Sequence, residues 1–248
     1  MSKSLIDEVP SLEAFRSRGL ITEVMSNVKS GKEATVYCCR ACPSTGFDLL
    51  AAKVYRPLES RSFRRDAVYH EGRVITDARA RRAFKKKTRF GRGVQFGLWM
   101  LNEFEALKVL HAAGADVPQP VAQAGAAILM EYVGDDKSPA PLLKHVSLSS
   151  REARRLFDIL MCNVELFLTY DRVHGDLSSF NVMYWKGRAV IIDFPQCVDS
   201  RSNPSAFRLL MRDIESICRH FRRHGIEADA HTLSSHLWMR YLNAKLQR

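Results

Sequence analysis

The spacing of apolar residues changes period along the chain, and each change predicts an element. Ser11–Arg18 reads as a short helix stopped by Gly19. Leu20–Lys29 and Ala34–Arg40 read as strands flanking Ser30-Gly31-Lys32-Glu33, a hairpin with a glycine at its tip. Leu49–Tyr55 is a third strand, apolar on both faces except at Lys53, and a lysine inside an apolar strand requires a partner. From Leu98 to Ala113 the residues Leu101, Phe104, Leu107 and Leu110 recur at helical spacing, with Gly114 as the stop. Glu103 stands four residues before Leu107 and so shares that helix's buried edge. Pro118 and Pro120 force an extended connection into a strand at Ala126–Tyr132, and Val133-Gly134-Asp135-Asp136 ends the first half of the chain with turn chemistry.

The second half reads as mainly helical. Ser149-Ser150-Arg151-Glu152 is a capping box, and Leu156, Ile159, Leu160, Val164, Phe167 and Leu168 line one face of the helix it opens. Short strands at Val182–Trp185 and Ala189–Ile192 flank a turn at Lys186-Gly187. Asn203-Pro204 opens another amphipathic helix to about His224, and a last helix covers Leu233–Leu246.

A chain of 248 residues fits one large domain or two small lobes. With 46% hydrophobic and 26% charged residues, wholesale disorder and fibrous structure are excluded. No stretch nears the roughly 18 consecutive apolar residues of a membrane span. The start, Met1–Glu8, lacks the apolar core of a signal peptide, so a cytoplasmic protein without a membrane partner is expected. The irregularly spaced cysteines (Cys38, Cys39, Cys42, Cys162, Cys197, Cys218) fit free thiols, and the single C-x-x-C at Cys39 and Cys42 lacks the second pair of a zinc site. Cys162 and Cys218 are expected to pack as small apolar residues, and Trp99, Trp185 and Trp238 to pack in cores. His111, His220, His224 and His231 read as surface or capping residues.

The net charge of +11 is concentrated: residues 54–92 hold 13 Lys/Arg against 4 acids, a local excess of +9. Such a run is either a solvated loop or a surface for phosphates or an acidic partner.

The chemistry lies in His174-Gly175-Asp176-Leu177-Ser178-Ser179-Phe180-Asn181, followed after one hairpin by Ile191-Ile192-Asp193-Phe194. An Asp, an Asn five residues on, and an Asp ending the next apolar strand supply a base and two oxygen ligands for magnesium. With Lys53 in a strand and Glu103 on a helix upstream, they reproduce the protein-kinase set of parts.

From about Gly19 to His224 the chain resembles a RIO kinase, an atypical protein kinase, in a compact bacterial-type form closest to the first RIO subfamily. The resemblance is carried by Ser30–Tyr37, Ala52-Lys53-Val54-Tyr55, Asn102–Leu107, Val117–Pro120, Met130–Gly134, Ala140–Lys144, His174–Asn181 and Ile192-Asp193. It implies a two-lobed, kinase-like α+β fold. A helical extension at 1–18 precedes a small β-rich lobe at 19–133, and a larger helical lobe follows at 134–248. It further implies a flexible basic loop at about 56–97 and the cofactors ATP and magnesium, with manganese as a substitute. Ser30, Gly31 and Lys32 would lie over the phosphates, Lys53 would hold the α/β-phosphates oriented by Glu103, and Glu131 and Val133 would meet adenine through backbone groups. Asp176 would be the catalytic base, and Asn181 and Asp193 the metal ligands. Asp193 would also accept the phosphoryl group as an aspartyl phosphate during ATP hydrolysis. The substrate would be a protein serine or the chain itself, and the partner of the basic loop a ribosomal particle or RNA.

The sequence departs from ordinary protein kinases in its single-glycine phosphate loop, the absence of arginine in His174-Gly175-Asp176, and Phe194-Pro195 in place of Phe-Gly. The chain from Asp193 to Pro204 is too short for a full activation loop, so the larger lobe is a reduced one. Two other readings stand beside the kinase: an ATP-gated switch that binds and leaves a ribosomal particle, and a small-molecule phosphotransferase of the aminoglycoside or choline kinase type.

Overall fold

The computed structural model describes residues 9–56 and 89–246, with side chains placed for 9–56 and 100–245. Most of the basic run, including the greater part of the loop expected at 56–97, lies outside the described residues, as does the Trp99 side chain. The described residues form two compact units, one of 9–56, 89–104 and 118–139, the other of 105–117 and 140–246.

The smaller unit holds α1 (Pro10–Ser17), β1 (Ile21–Ser30), β2 (Ala34–Ala41), β3 (Leu49–Tyr55), the first part of α2 (Arg89–Ala112), β4 (Pro120–Ala124) and β5 (Ala127–Glu131). The strands form one antiparallel sheet in the order β1-β2-β3-β5-β4. Side chains alternate across a strand, so β3 splits its residues between two cores. Leu50 and Ala52 face Leu12 and Phe15 of α1, and Tyr55 joins Ile128 and Met100 on the α2 side. Lys53, of the same parity as Tyr55 and opposite Val36 and Ile128 in register, therefore belongs to the α2 face. The α1 helix is no mere extension, because Leu12 and Phe15 are fully buried in the sheet's core.

Two expectations for α2 are corrected. It begins at Arg89, well before Leu98, so 89–97 are helix and not loop. Gly91, Gly93 and Gly97 lower local helix propensity and mask the continuation in the sequence. Its buried stripe runs through Met100, Glu103, Ala106, Leu107 and Leu110, while Leu101 is half exposed. Pro120 opens the edge strand β4, a position that tolerates proline.

The larger unit contains α3 (Ser150–Thr169), β6 (Arg172–Val173), β7 (Val182–Trp185), β8 (Arg188–Ile191), β9 (Val198–Asp199), α4 (Ala206–Arg222) and α5 (Ala230–Leu246). The capping box forms: Ser149 Oγ accepts the Glu152 N–H, and the Glu152 carboxylate accepts the Ser149 N–H at 3.0 Å. Leu156, Leu160, Val164, Phe167 and Leu168 of α3 are buried, as are Leu209, Leu210, Ile214, Ile217 and Phe221 of α4, and Phe157 meets Phe221 edge to face. Lys186 and Gly187 both take positive φ, the conformation that lets a two-residue turn follow the twist of β7 and β8. Trp238 packs between Phe207 and Tyr241.

Here too the structure corrects single residues. His220 is buried, not at the surface, because it shares the inner face of α4 with Ile217 and Phe221. Cys162 is exposed on α3, outside that helix's apolar stripe. No helix among the described residues is long and apolar enough to cross a membrane.

Candidate active site

In the smaller unit, Lys53 Nζ donates to both carboxylate oxygens of Glu103, at 2.7 and 2.9 Å. The Glu103 side chain is 1% exposed and that of Lys53 12%. The lysine required a partner, and α2 supplies it one turn beyond Met100. Ser30 Oγ, at the end of β1, lies 3.4 Å from Thr35 Oγ1 and accepts the Arg56 guanidinium at 2.5 Å. The Gly31 N–H closes the tip of the hairpin onto the Ala34 carbonyl. A Cβ on Gly31 would meet only that carbonyl oxygen, at an ordinary 3.5 Å. The fold itself therefore has room for a side chain here, and what a glycine preserves is the open space over the turn. Lys32 is exposed beside it. Glu131 spends its N–H on the Gln119 carbonyl at 2.8 Å, and its carboxylate accepts the Gln119 N–H, so only its own carbonyl can serve a ligand in the way expected. Val133 follows, buried.

In the larger unit, the loop after β6 is tied at almost every residue. Asn181 donates its side-chain amide to the Asp176 carbonyl at 2.8 Å and to the Asp176 carboxylate at 3.3 Å. That assigns the amide nitrogen to Asp176 and leaves the oxygen as the acceptor end of the side chain. His174 accepts the Asp176 N–H on Nδ1 and so donates from Nε2 to the Ile192 carbonyl at 3.1 Å. Its ring also packs 4.5 Å from that of Phe194, and the Ile192 N–H returns to the Asn181 carbonyl. Asp193 is thus held one residue from two bonds that fasten its strand to the loop, and it adopts φ 73°, a left-handed conformation that aspartate tolerates better than most residues.

Asp176 is exposed at its edge, yet partial desolvation raises its pKa above the usual carboxylate range. The charge of nearby Asp193 adds to the rise, and Arg212 and the Asn181 amide oppose it. Two acidic groups within electrostatic reach, with an amide oxygen beside them, form a hard-oxygen donor set that fits Mg2+.

Sequence reasoning missed two residues that build this loop. Asp213 of α4, 2% exposed, accepts the Gly175 N–H at 2.7 Å and the Leu177 N–H at 3.0 Å, one on each oxygen. Complete burial pushes its carboxyl up to about 7 against the pull of those bonds and of Arg212. Arg212 donates to the Gly175 carbonyl. The signal was present, since a carboxylate among Leu209, Leu210, Ile214 and Ile217 is as anomalous as a lysine in an apolar strand.

A family model described as the RIO domain matches residues 35–233. The serine/threonine-protein kinase RIO1 of Homo sapiens is 31% identical over 211 residues, 85% of this chain and 35% of that protein. The RIO-type serine/threonine-protein kinase Rio1 of Haloferax volcanii is 30% identical over 206 residues, 83% of this chain and 66% of its own. The chain spans only 35–42% of the length of its human, Caenorhabditis elegans and Schizosaccharomyces pombe relatives. Among solved structures, the Rio2 kinase–ADP/Mg2+–phosphoaspartate complex from Chaetomium thermophilum is similar with a TM-score of 0.65 at 22% identity, over 91% of this chain and 64% of that one. The fold is accordingly the two-lobed, kinase-like α+β fold, and with a family model covering most of its length the chain belongs to the RIO kinase family.

Proposed function

We propose that this chain is an ATP-dependent serine protein kinase of the RIO type that also phosphorylates itself. The observation that carries the reading is the Asn181 amide, anchored by its nitrogen to Asp176 in a loop whose Asn181 carbonyl also takes the N–H of Ile192, next to Asp193. The amide oxygen and the Asp193 carboxylate are the oxygen donors this reading assigns to the cation. In this reading Ser30, Gly31 and Lys32 cover the phosphates, Lys53 neutralises the α/β-phosphates, and Glu103 keeps its ammonium in place. The Glu131 carbonyl and the Val133 backbone meet adenine. Magnesium, held by Asn181 and Asp193, would neutralise charge on the phosphates. Asp176 orients the acceptor hydroxyl and takes its proton. The serine oxygen forms its bond to the γ-phosphorus as the bond from that phosphorus to the bridging oxygen breaks, and ADP leaves with the electron pair.

The related Rio2 kinase has been crystallised with phosphoaspartate. The same chemistry on this chain would place a phosphoryl group on Asp193: a carboxylate oxygen attacks the γ-phosphorus, ADP departs, and water then releases phosphate, for a net hydrolysis of ATP. Such an ATPase would also serve a binding switch on a ribosomal particle, reached from the cytoplasm through the basic stretch 54–92, whose net +9 charge supports an RNA partner.

The test is γ-labelled ATP with magnesium on the purified protein beside Asp176→Ala and Asp193→Asn. Label on serine that disappears in Asp176→Ala supports the kinase, and hydroxylamine-labile label missing from Asp193→Asn supports the acyl phosphate. A wild type that binds ATP yet transfers label to no protein overturns the kinase reading.

A further inference from the structure

Phe180 lies in the loop between Asp176 and Asn181 and, at 57%, is the most exposed large apolar side chain among the described residues. It is not on a loose segment. The Phe180 N–H bonds to Ser178 Oγ at 3.3 Å, the Asn181 N–H to the Ser178 carbonyl at 2.9 Å, and the Lys144 N–H to the Ser179 carbonyl at 3.1 Å. The Asn181 amide then closes the loop onto Asp176. The backbone that carries the ring is therefore held in the same closed loop as Asp176, the residue proposed to orient the acceptor hydroxyl. Lys144, from the 3-10 turn Leu143–His145, places its Nζ 4.1 Å from the ring centroid. A cation over the ring leaves the rest of the aromatic surface to solvent and sets a positive charge at its border.

We infer that Phe180 and Lys144 select the protein substrate: the ring takes a bulky apolar side chain next to the acceptor serine, and Lys144 takes a carboxylate close by. The inference rests on the kinase reading above. A peptide is favoured as the occupant because the ring belongs to the closed loop that carries Asp176, the residue proposed to orient the reacting hydroxyl of the acceptor chain. One methylene in a hydrophobic pocket is worth about 10–200-fold in kcat/KM, which sets the scale for an apolar contact beside the acceptor.

The experiment uses the full chain with MgATP and a set of serine peptides in which the residues flanking the acceptor are varied among Leu, Phe, Gly, Asp and Lys. The readout is the ratio of kcat/KM between paired peptides, which a general loss of structure does not change. Wild type is expected to prefer apolar-flanked over Gly-flanked peptides by about tenfold or more. Phe180→Ala should collapse that ratio, Phe180→Tyr should restore it, and Lys144→Glu should turn a preference for Asp into one for Lys. Peptides phosphorylated with ratios that neither Phe180→Ala nor Lys144→Glu alters overturn this inference and leave the kinase reading intact. Wild type that binds ATP but phosphorylates neither itself nor any peptide overturns the kinase reading, and this inference with it. Unaltered peptide ratios together with weakened binding of a single-stranded oligouridine by Phe180→Ala would make the ring a base-stacking platform and overturn the peptide assignment.

Discussion

Asp213 accepts the Leu177 N–H at 3.0 Å, a bond between a helix and the loop carrying Asp176, and its second oxygen takes the Gly175 N–H. Asp213→Ala strands two buried donors, each costing about 1–3 kcal/mol. Asp213→Asn keeps the shape but turns an NH2 group toward one of them. We expect Ala to lower the thermal midpoint more than Asn, and both to reduce phosphate release by about tenfold or more, as loops that position a base require. Calorimetry and a turnover assay check this, and a wild-type midpoint in Asp213→Ala would refute it.

Lys53 and Glu103 are unequally buried, and the acid is the more enclosed. Lys53→Met leaves a buried carboxylate without its cation and should cost about 3–5 kcal/mol in urea unfolding. Adding Glu103→Met to that variant should recover most of the stability and none of the phosphoryl transfer. A double variant no more stable than the single one would show that the pair is not the source of the loss.

Asn181 has its nitrogen committed to Asp176 and its oxygen free of that task. Asn181→Ala should raise the magnesium concentration for half-maximal turnover by about tenfold or more, and chelation of divalent cations should stop phosphoryl transfer in the wild type. A magnesium titration unchanged by the substitution would remove Asn181 from the ligand set.

His220 is driven down to about 4 from 6.5, first by burial, then by the Arg223 guanidinium, which donates to Nδ1 at 2.7 Å, and by His224. Its native state stays neutral where the unfolded chain takes up a proton, so this site's contribution is complete above about pH 6.5 and lost as pH falls toward 4. The loss is at most about 3 kcal/mol. Nε2 is buried without a hydrogen-bond partner, so His220→Met should cost little at pH 7 and flatten the fall in stability between pH 6.5 and 4. Unfolding free energies across that range, for wild type and variant, decide it.

What could be read from the sequence was local. The Ser149 box, the Lys186-Gly187 turn and the odd lysine of β3 each announce themselves within a few residues, and the structure builds the first two as read and gives the third a partner in Glu103. The partners of the Asp176 loop are far away in sequence, Asp213 among them, and no period links position 177 to 213. The pairing of β6 with β9 involves two residues on each strand, too few for alternation to show. His220 shows no matching partner in the sequence and so reads as a surface or capping residue, whereas α4 turns it inward with Ile217 and Phe221.

The loop from His174 to Asn181 has neither helical nor strand geometry, yet its amide protons at Gly175 and Leu177 end on a buried carboxylate and that at Asp176 on a buried imidazole. In hydrogen exchange these protons should behave like those of the packed helices, opening with the whole unit and not by a local fluctuation of the loop. Side-chain anchoring would thus make a turn exchange as slowly as a core, and the Asp176 carboxylate would sit on a support that does not breathe by itself.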